Sequence, residues 1–350
     1  MTQKNTLLLD VLNQKPVPRP PIWIMRQAGR YMPAYRQLRQ SYSFLEMIQT
    51  PDLATEITLQ PINYLGTDAA ILFSDILVTA QALGSDLDYI EGTGPVISNP
   101  IRSMADVYAL NTQGTTEKLS YVTTAIRQLK GELSVPLIGF AGAPFTVASY
   151  MIEGGSSHTL KTVKTLRYND PSTFIALLEA LTEVTIDYLI AQIDAGVDAI
   201  QLFDTWANHL TWDDFNQFSL TYMKTIIQAI RKHSSIPIIL FCKNAGLLWP
   251  LLQDINPSAI SFDWTGHIPR IRQNLTPSIA MQGNIDPYLL YGSPSMIQQS
   301  VTHFLNQINP TDHLIVNLGH GILPDMRPEH VKTLVDTVQS YAYKTTYQSV

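Results

Sequence analysis

The segment Pro20–Arg39, PPIWIMRQAGRYMPAYRQLR, turns an apolar, strand-like run directly into a cluster of arginines. The guanidinium group suits carboxylates and phosphates, because its planar fork offers paired donors and keeps its charge. The segment therefore predicts a strand followed by a local site for an anion with several negative groups. The arginines, which fall within fourteen residues, are Arg26, Arg30, Arg36 and Arg39.

The surroundings of this cluster bear on whether it is a binding loop or a solvated basic turn. The formal net charge of the chain is −6, so the grouped positive charge runs against the overall balance. Gly29 lies between the first two arginines, and Pro33 comes just after the second. Both residues favour an irregular loop in which the backbone itself approaches a ligand.

Further apolar, β-rich segments recur along the chain and lack polar alternation, which is typical of parallel strands covered on both faces. Segments with helical spacing lie between them, such as Trp212–His233 and Thr173–Ala195; Asp170 and Pro171 open the second of these, and Gly196 closes it. Strands that alternate with helices in this way predict an α/β fold, a (β/α)8 TIM-type barrel. The eight predicted strands are Pro21–Met25, Ala69–Phe73, Pro136–Ala141, Ala199–Phe203, Pro237–Cys242, Ala259–Asp263, Ser278–Gly283 and His313–Leu318.

The organisation of the chain indicates one domain. No low-complexity linker, charge block or close repeat divides the 350 residues, so we predict a single barrel domain over residues 1–350. The connection from Asp75 to Pro136 is long and is predicted to contain extra elements. The N-terminus, MTQKNTLLLDVLNQKP, predicts a short amphipathic helix rather than a signal peptide.

Composition limits the class of protein. A hydrophobic content of 45% with 15% charged residues indicates a soluble chain with material for a large core. No run of about 18 apolar residues occurs, so we predict no membrane span. The single cysteine, Cys242, excludes an internal disulfide and predicts a cytoplasmic location. The acidic balance predicts no nucleic-acid partner.

Polar residues follow the predicted strands. Enzymes with this barrel place their chemistry at the C-terminal ends of the strands. The polar rim that results can bind and protonate an anionic organic molecule. Its members are Arg26, Asp75, Thr146, Tyr150, Asp204, Thr205, Lys243, Asn244, Trp264, Asn284, Asp286 and His320.

Three members of this rim are candidates for chemistry, and each has a structural alternative. Asp75 lies in the apolar segment ILFSDIL, where a carboxylate needs a partner. It is either structural, as a cap or in an ion pair with a core arginine, or it points into the cavity, where it would accept N–H donors and stabilise a cation. Tyr150 is either a hydroxyl donor or an amphipathic core residue, and Gly139 and Gly142 before it would let the backbone approach a bulky ligand. His320, between two glycines in NLGHGI, favours ligand contact or proton transfer.

Motifs for metals and common cofactors do not occur in the chain. There is no HExxH, and one cysteine cannot supply a multi-thiolate zinc site. GxGxxG, GxxxxGK[ST] and GxSxG are not found either. Any electron sink must come from the substrate or from a cofactor without an obvious motif.

Two long segments carry a family resemblance. PPIWIMRQAGRYMPAYR resembles the first signature of the uroporphyrinogen decarboxylases, and GFAGAPFTVASYMIEGG resembles the second. The resemblance continues through FSDIL, QLFDTWA, MQGNIDP and NLGHGILPD, so it covers almost the whole chain. It implies a barrel enzyme, commonly a homodimer with facing clefts, that acts as a carboxy-lyase in haem biosynthesis. The implied reaction removes four acetate carboxyls from uroporphyrinogen III as CO₂, gives coproporphyrinogen III, and needs no metal or organic cofactor.

The resemblance also assigns roles to individual residues. The arginines would bind substrate carboxylates, and the backbone between the first two would line the same pocket. Asp75 would accept the central pyrrole N–H groups and stabilise the cation formed when the ring is protonated. The residues with an implied catalytic role are Asp75, Arg26 and Tyr150; those with an implied role in substrate binding are Arg26, Gln27, Ala28, Gly29, Arg30, Arg39, Asp75, Tyr150, Thr205 and His320.

The chain departs from the family pattern in the fourth motif. Thr205 stands where serine is usual, and Asn208 where glycine is common. Threonine keeps the hydroxyl group, so we expect Thr205 to keep a binding role. The proton donor stays open between Arg26, Tyr150, His320 and bound water.

Two other functions are alternatives for this chain. One is a methyltransferase of the related corrinoid-dependent group, which shares the barrel and uses zinc with thiolate ligands. The single cysteine disfavours it. The other is a tetrapyrrole carrier without catalysis, which would bind the substrate and release no CO₂.

Overall fold

The computed structural model describes residues 4–343, and a curved parallel sheet lies at its centre. In chain order the strands are β1 (Ala70–Ile71), β2 (Leu87–Ile90), β3 (Gly94–Ile97), β4 (Leu137–Gly142), β5 (Ala199–Asp204), β6 (Ile238–Cys242), β7 (Ala259–Ser261), β8 (Ala280–Ile285) and β9 (Leu314–Leu318). The central sheet has the order β1-β4-β5-β6-β7-β8-β9 with every pair parallel, while β2 and β3 form a separate antiparallel hairpin. Helices connect the parallel strands, which confirms the predicted (β/α)8 TIM-type class.

The predicted first strand, Pro21–Met25, is present only as a single bridge between Ile22 and Val316, so its predicted extent is wrong. Pro21 has no N–H group, and a proline cannot donate to a strand ladder. The segment nevertheless lies between β9 and β1. The Val316 N–H donates to the Pro21 carbonyl at 2.8 Å, and the Asp68 N–H donates to the Ile22 carbonyl at 2.8 Å. It therefore occupies the eighth strand position and closes the barrel.

Side chains supply the hydrogen bonds that this closing segment lacks. Both oxygens of the buried Asp68 carboxylate accept from Arg19 at 2.7 Å, and one also accepts from the Ile22 N–H at 2.9 Å. The Met25 N–H donates to the Asn317 side chain at 2.9 Å. These bonds hold the segment at the barrel wall and so bring its arginines to the rim.

The interior of the barrel is packed, with a small polar layer inside it. The Trp23 indole donates to Gln282 at 2.9 Å, and Gln282 donates to Gln201 at 3.1 Å. Gln201 lies on β5 and Gln282 on β8, which are not neighbours in the sheet, so their side chains meet inside the barrel. The barrel is therefore a filled core rather than a pore.

The outer layer consists of helices of very different lengths. They are α1 (Leu7–Leu12), α2 (Pro33–Ser41), α3 (Phe44–Gln49), α4 (Pro51–Leu65), α5 (Val78–Leu83), α6 (Met104–Tyr108), α7 (Thr115–Lys118), α8 (Ser120–Glu132), α9 (Pro144–Glu153), α10 (Lys161–Asn169), α11 (Pro171–Ala195), α12 (Trp212–Phe215), α13 (Thr221–His233), α14 (Ala245–Gln253), α15 (Ile268–Arg272), α16 (Pro294–Leu305) and α17 (Pro328–Ser340). Short 3-10 turns occupy Ala207–His209, Pro287–Tyr291 and Pro310–Asp312.

Both helices singled out in the sequence are confirmed. Asp170 caps the start of α11 by accepting from the Thr173 N–H, and Gly196 ends it in the left-handed conformation. The predicted helix Trp212–His233 is continuous from α12 to α13 but contains a π-helical turn at Asn216–Leu220. Such turns interrupt the regular hydrogen bonding of a helix and are frequent at functional sites.

The long connection after Asp75 contains the extra elements that its length predicts. It holds α5, the β2–β3 hairpin, α6, α7 and α8. At the N-terminus the predicted amphipathic helix is present as α1, which buries Leu8, Val11 and Leu12. Between residues 4 and 343, no helix is long and apolar enough to cross a membrane.

Candidate active site

A cavity of about 460 Å³ opens at the C-terminal ends of the strands. Asp75 enters it after β1, Thr205 after β5 and His320 after β9. Arg39 is not among the lining residues, so its predicted contact with substrate stays a prediction. The other nine residues with a predicted binding role all line the cavity: Arg26, Gln27, Ala28, Gly29, Arg30, Asp75, Tyr150, Thr205 and His320.

The arginine loop begins at a residue in an unusual conformation. Arg26 has φ +62°, a left-handed backbone that residues with a side chain rarely adopt. The buried Gln27 side chain holds the turn by accepting from the Ile24 N–H at 3.1 Å and donating to the Ala69 carbonyl at 3.1 Å. A Cβ at Gly321 would lie 2.4 Å from Cδ of Arg26, so the glycine leaves the room that the arginine stem occupies.

The arginines of this loop divide into two kinds. Arg36 is structural, because it donates to the carbonyls of Arg30 and Tyr31 at 2.9 and 2.8 Å. Arg39 donates to the Tyr42 carbonyl at 2.5 Å at the end of α2. Arg26 and Arg30 form no ion pair with a carboxylate in the part of the chain that the structure describes. Their guanidinium groups remain available for an anionic ligand.

Asp75 has one oxygen committed to the protein and one directed to other partners. Its Oδ1 accepts from the Leu77 N–H at 2.8 Å. Burial raises the pKa of Asp75, and the Leu77 N–H, the Tyr89 hydroxyl and the positive charge of Arg26 oppose that rise. Within residues 4–343, no second hydrogen bond of normal geometry reaches this carboxylate. The arrangement suits a carboxylate that awaits N–H donors from a ligand.

Three tyrosines contribute to the electrostatic surroundings of this carboxylate, and the Tyr89 hydroxyl approaches it without forming a hydrogen bond of normal geometry. Tyr89, Tyr121 and Tyr188 each bury a hydroxyl that has no hydrogen-bond partner among the described residues. Burial raises the pKa of all three, and the charge of Asp75 contributes to each rise. The phenols therefore stay protonated and can donate, which makes the surroundings of Asp75 compatible with a negative charge.

Tyr150 lies on α9, where its ring meets that of Trp206 at 5.7 Å between centroids in an edge-on contact. Burial and then the charge of Asp75 raise the pKa of Tyr150, against the side chains of Trp206 and Ser156 and the charge of Arg26. Its hydroxyl is thus a neutral donor at the cavity wall.

His320 follows β9 directly after Gly319, at a point where the backbone of Gly319 lies close to the backbone of Trp264. A Cβ at Gly319 would lie 2.4 Å from the Trp264 nitrogen, so only glycine fits before the histidine. Burial, followed by the positive charges of Arg26 and Lys243, lowers the pKa of His320 to about 4. Its imidazole is neutral at physiological pH and can donate or accept one hydrogen bond per nitrogen.

Part of the cavity wall was not predicted from the sequence. Tyr89, Gly94 and Pro95 of the β2–β3 hairpin line it, as do Ser156 and the segment Ile322–Pro324. The hairpin lies inside the long connection, and no chemical motif in it points to the site. Phe44 supports it from α3, with its ring 4.6 Å from that of Tyr89.

The proposed ligand role of two glycines is wrong. A Cβ at Gly139 would lie 2.4 Å from Gln192 Oε1, and one at Gly142 would lie 2.6 Å from a methyl carbon of Val147. Both glycines therefore admit protein side chains to the core rather than a ligand to the cavity.

Several members of the predicted rim do not line the cavity: Thr146, Asp204, Lys243, Asn244, Trp264, Asn284 and Asp286. Some of them have clear structural roles. Asp286 caps a 3-10 turn by accepting from the Tyr288 N–H at 2.9 Å, and Thr146 and Asp204 hydrogen-bond to each other. Among the described residues, no group of three or more His, Cys, Asp or Glu side chains is arranged to hold a metal ion.

The fold and the cavity together define a TIM-barrel enzyme whose pocket combines a half-buried carboxylate with two arginines that form no ion pair among the described residues. The family described as uroporphyrinogen decarboxylase (URO-D) matches residues 3–341. A uroporphyrinogen decarboxylase of Chloroherpeton thalassium is 45% identical over 97% of this chain and 98% of its own length. Another from Protochlamydia amoebophila is 45% identical over 96% of this chain and 92% of its own. The chain belongs to the uroporphyrinogen decarboxylase family.

Solved structures with little sequence similarity share the fold. A methyltransferase from Methanosarcina mazei superposes with a TM-score of 0.80 at 19% identity, covering 96% of this chain and 98% of its own. A B12-independent methionine synthase from a Shewanella species gives a TM-score of 0.54 at 12% identity, over 93% of this chain and 94% of its own. At this identity the likeness concerns the barrel alone.

Proposed function

We propose that this protein is a carboxy-lyase that converts uroporphyrinogen III to coproporphyrinogen III in haem biosynthesis. In each of four rounds, an acetate side chain loses CO₂ and becomes a methyl group. The ring carbon next to the acetate first takes a proton, and the electrons of the C–CO₂ bond then flow into the cationic ring. A proton added to the resulting exocyclic carbon and one lost from the ring complete the round, so each round consumes one proton.

One observation carries this proposal: Asp75 lies in the same cavity as Arg26 and Arg30, which have no carboxylate partner within residues 4–343. The protonated pyrrole is a cation, and an anionic carboxylate beneath its nitrogens stabilises it. A fixed charge in a site with little water contributes more than the same charge in solution, because the site does not reorganise during the reaction. The substrate itself is the electron sink, so no residue of the chain has to hold a cofactor.

The arginine loop accounts for the binding of the substrate. A ligand with eight carboxylates needs positive charge, although the protein carries a net charge of −6. Arg26 and Arg30 bind carboxylates, and the backbone of Gln27, Ala28 and Gly29 lines the same pocket. Thr205 offers its hydroxyl from the opposite wall.

The proton donor is one of four groups: Arg26, Tyr150, His320 or bound water. In the ligand-free protein the pKa of His320 is about 4, so few His320 side chains carry the extra proton at neutral pH. This disfavours His320 as the proton donor. Tyr150 hydrogen-bonds close to the reacting acetate. His320 contacts a substrate carboxylate from the last strand.

The wider setting of the protein follows from the resemblance. The chain acts as one barrel domain over residues 1–350, forms a homodimer and works in the cytoplasm. Arg39 adds a carboxylate contact once substrate is bound.

The test is anaerobic incubation of the purified, metal-stripped protein with uroporphyrinogen III, after which the oxidised products are separated by carboxyl number. We expect seven-, six-, five- and four-carboxyl species, and only a small fraction of these amounts from an Asp75→Asn control in the same time. If only the eight-carboxyl compound returns from well-folded protein, the proposal fails. Tight binding without CO₂ would then indicate a carrier, and stoichiometric zinc in the untreated protein a methyltransferase.

A further inference from the structure

A second aspartate close to the cavity is completely buried. Asp204 ends β5 with 0% of its surface exposed. Thr146 donates to its Oδ1 at 2.5 Å, and the Ser219 hydroxyl donates to its Oδ2. Within residues 4–343, no lysine, arginine or histidine pairs with it. Both oxygens are therefore held by neutral hydroxyl groups alone.

These hydroxyl groups come from separate elements that meet at the carboxylate. Thr146 lies in the first turn of α9, and Ser219 lies in the π-helical turn Asn216–Leu220. The Thr146 oxygen also accepts from the Trp206 N–H at 3.1 Å. Asp204 thus links α9, the loop after β5 and the π-helical turn.

This junction supports two residues of the cavity wall. Tyr150 lies one helical turn after Thr146 on α9, and side chains four positions apart share a face of a helix. Its ring contacts Trp206 at 5.7 Å, and Thr205 lies between Asp204 and Trp206 in the chain. A shift at the junction would therefore move Tyr150 and Trp206 relative to each other.

A carboxylate at this position costs the fold stability. Burial raises the pKa of Asp204 to about 6, against the two hydroxyl donors. A buried charge without a cation is unfavourable, and neutral side chains of similar shape serve packing as well or better. Packing therefore does not account for the carboxylate of Asp204, and the directions of its hydrogen bonds offer another reason for it.

An ionised carboxylate sets the direction of every hydrogen bond in the junction. Because it only accepts, Thr146 must point its proton at Asp204 and leave a lone pair for the Trp206 N–H. An amide offers two hydrogens on one side. Either the Thr146 or the Ser219 hydroxyl would then have to reverse and accept from the amide, and its own proton would lose the carboxylate oxygen that it is bound to.

We propose that Asp204 is a positioning residue that holds α9 and the loop after β5 in the arrangement that presents Tyr150 to the substrate. The inference rests on the proposed decarboxylase function. It adds a residue that touches no substrate but acts through Thr146 and Trp206.

The test compares Asp204→Asn with Asp312→Asn in the four-round assay. Asp312 is also buried, but it precedes β9 and caps a turn by accepting from the Asn309 N–H at 2.7 Å, at the opposite end of the barrel. We expect Asp204→Asn to lower kcat by up to about 10-fold with little change in KM, since misplacing the Tyr150 hydroxyl cannot cost more than removing it. Asp312→Asn should leave kcat within about twofold.

A double-mutant cycle separates positioning from a general structural role. In a Tyr150→Phe background, Asp204→Asn should lower kcat by less than about threefold, because its effect passes through the hydroxyl already removed. Thr146→Val should reproduce the loss and Thr146→Ser should largely avoid it. Independent effects of Asp204 and Tyr150, or normal kcat in Asp204→Asn, would overturn the inference.

Hydrogen exchange distinguishes failure of this inference from failure of the proposed function. If the unaltered protein releases no CO₂, the proposed function fails, and exchange then decides the inference. Faster exchange in residues 144–153 of Asp204→Asn, but not of Asp312→Asn, supports the junction. Unchanged exchange there rejects it.

Discussion

Asp75 follows β1 and Asp204 ends β5, and burial raises the pKa of both, yet they use their oxygens differently. Asp75 accepts one hydrogen bond from the backbone of Leu77 and lines the cavity beside Arg26. Asp204 has both oxygens bound by the hydroxyls of Thr146 and Ser219 and does not reach the cavity. The comparison shows that burial alone does not identify a catalytic carboxylate. The deciding feature is an oxygen left for the ligand.

The two carboxylates also differ in the charges around them. Arg26 opposes the rise in the pKa of Asp75, whereas only hydroxyl donors oppose that of Asp204. A ligand that brings N–H groups adds to the donors around Asp75 and favours its ionised form. Asp204 does not line the cavity, so a ligand adds no donors to it, and its negative charge is stabilised by the Thr146 and Ser219 hydroxyls.

The largest effect is expected from Asp75→Asn, which removes the charge that stabilises the pyrrole cation. We expect kcat to fall about 1,000-fold, in the range found for loss of a preorganised electrostatic group. The melting temperature should not fall, because the substitution also removes a half-buried negative charge whose pKa burial raises. Steady-state kinetics and thermal unfolding measure the two effects. Near-normal turnover of Asp75→Asn would contradict a catalytic role for Asp75 and remove its functional difference from Asp204.

A second prediction concerns Asp204 and the pH dependence of stability. Its pKa is about 6 in the folded protein against an ordinary value of 3.8, so the folded state binds more protons between these values. This contribution to stability is complete below pH 3.8 and is lost as the pH rises through 6. Relative to the unaltered protein, Asp204→Asn should therefore gain about 3 kcal/mol across that window. Urea unfolding at a series of pH values measures the difference, and parallel curves for the two proteins would contradict the assignment.

Arg26→Gln tests whether the guanidinium beside Asp75 serves the substrate or only the carboxylate. Loss of a charge-assisted bond should lower kcat/KM about 50-fold. Arg231→Gln is the control, since Arg231 is exposed and donates to the Asn256 carbonyl at 2.8 Å. A drop no larger than that of the control would remove Arg26 from the binding site.

The smallest effect is expected from Tyr150→Phe, which removes one hydroxyl and keeps the ring contact with Trp206. Loss of a neutral hydrogen bond should lower kcat about 10-fold. Tyr168→Phe is the control, because Tyr168 is 70% exposed on α10. If Tyr150→Phe lowers activity far less than Asp204→Asn does, Asp204 does not act through Tyr150.

Predictions from the sequence were confirmed for features whose physical cause lies within one segment of the chain. The apolar strand segments, the caps of α11 and the arginines around Gly29 are local patterns, and each is present in the structure. Predictions were wrong or incomplete for features whose cause is a contact with residues far away in the chain. Gly139 is explained by Gln192, and the Pro21–Met25 segment is held at the barrel wall by Val316 and Asp68, which lie far from it in the chain.

The sequence by itself determined the barrel class, the family resemblance and nine of the residues that line the cavity. Only the tertiary structure decided which aspartate faces the ligand and which is sealed in the scaffold. Thr146 and Asp204 are 58 positions apart, and Tyr89 comes to the cavity on a hairpin without a chemical motif. Burial and hydrogen-bond partners depend on such distant contacts, and these exist only once the strands have closed into the barrel.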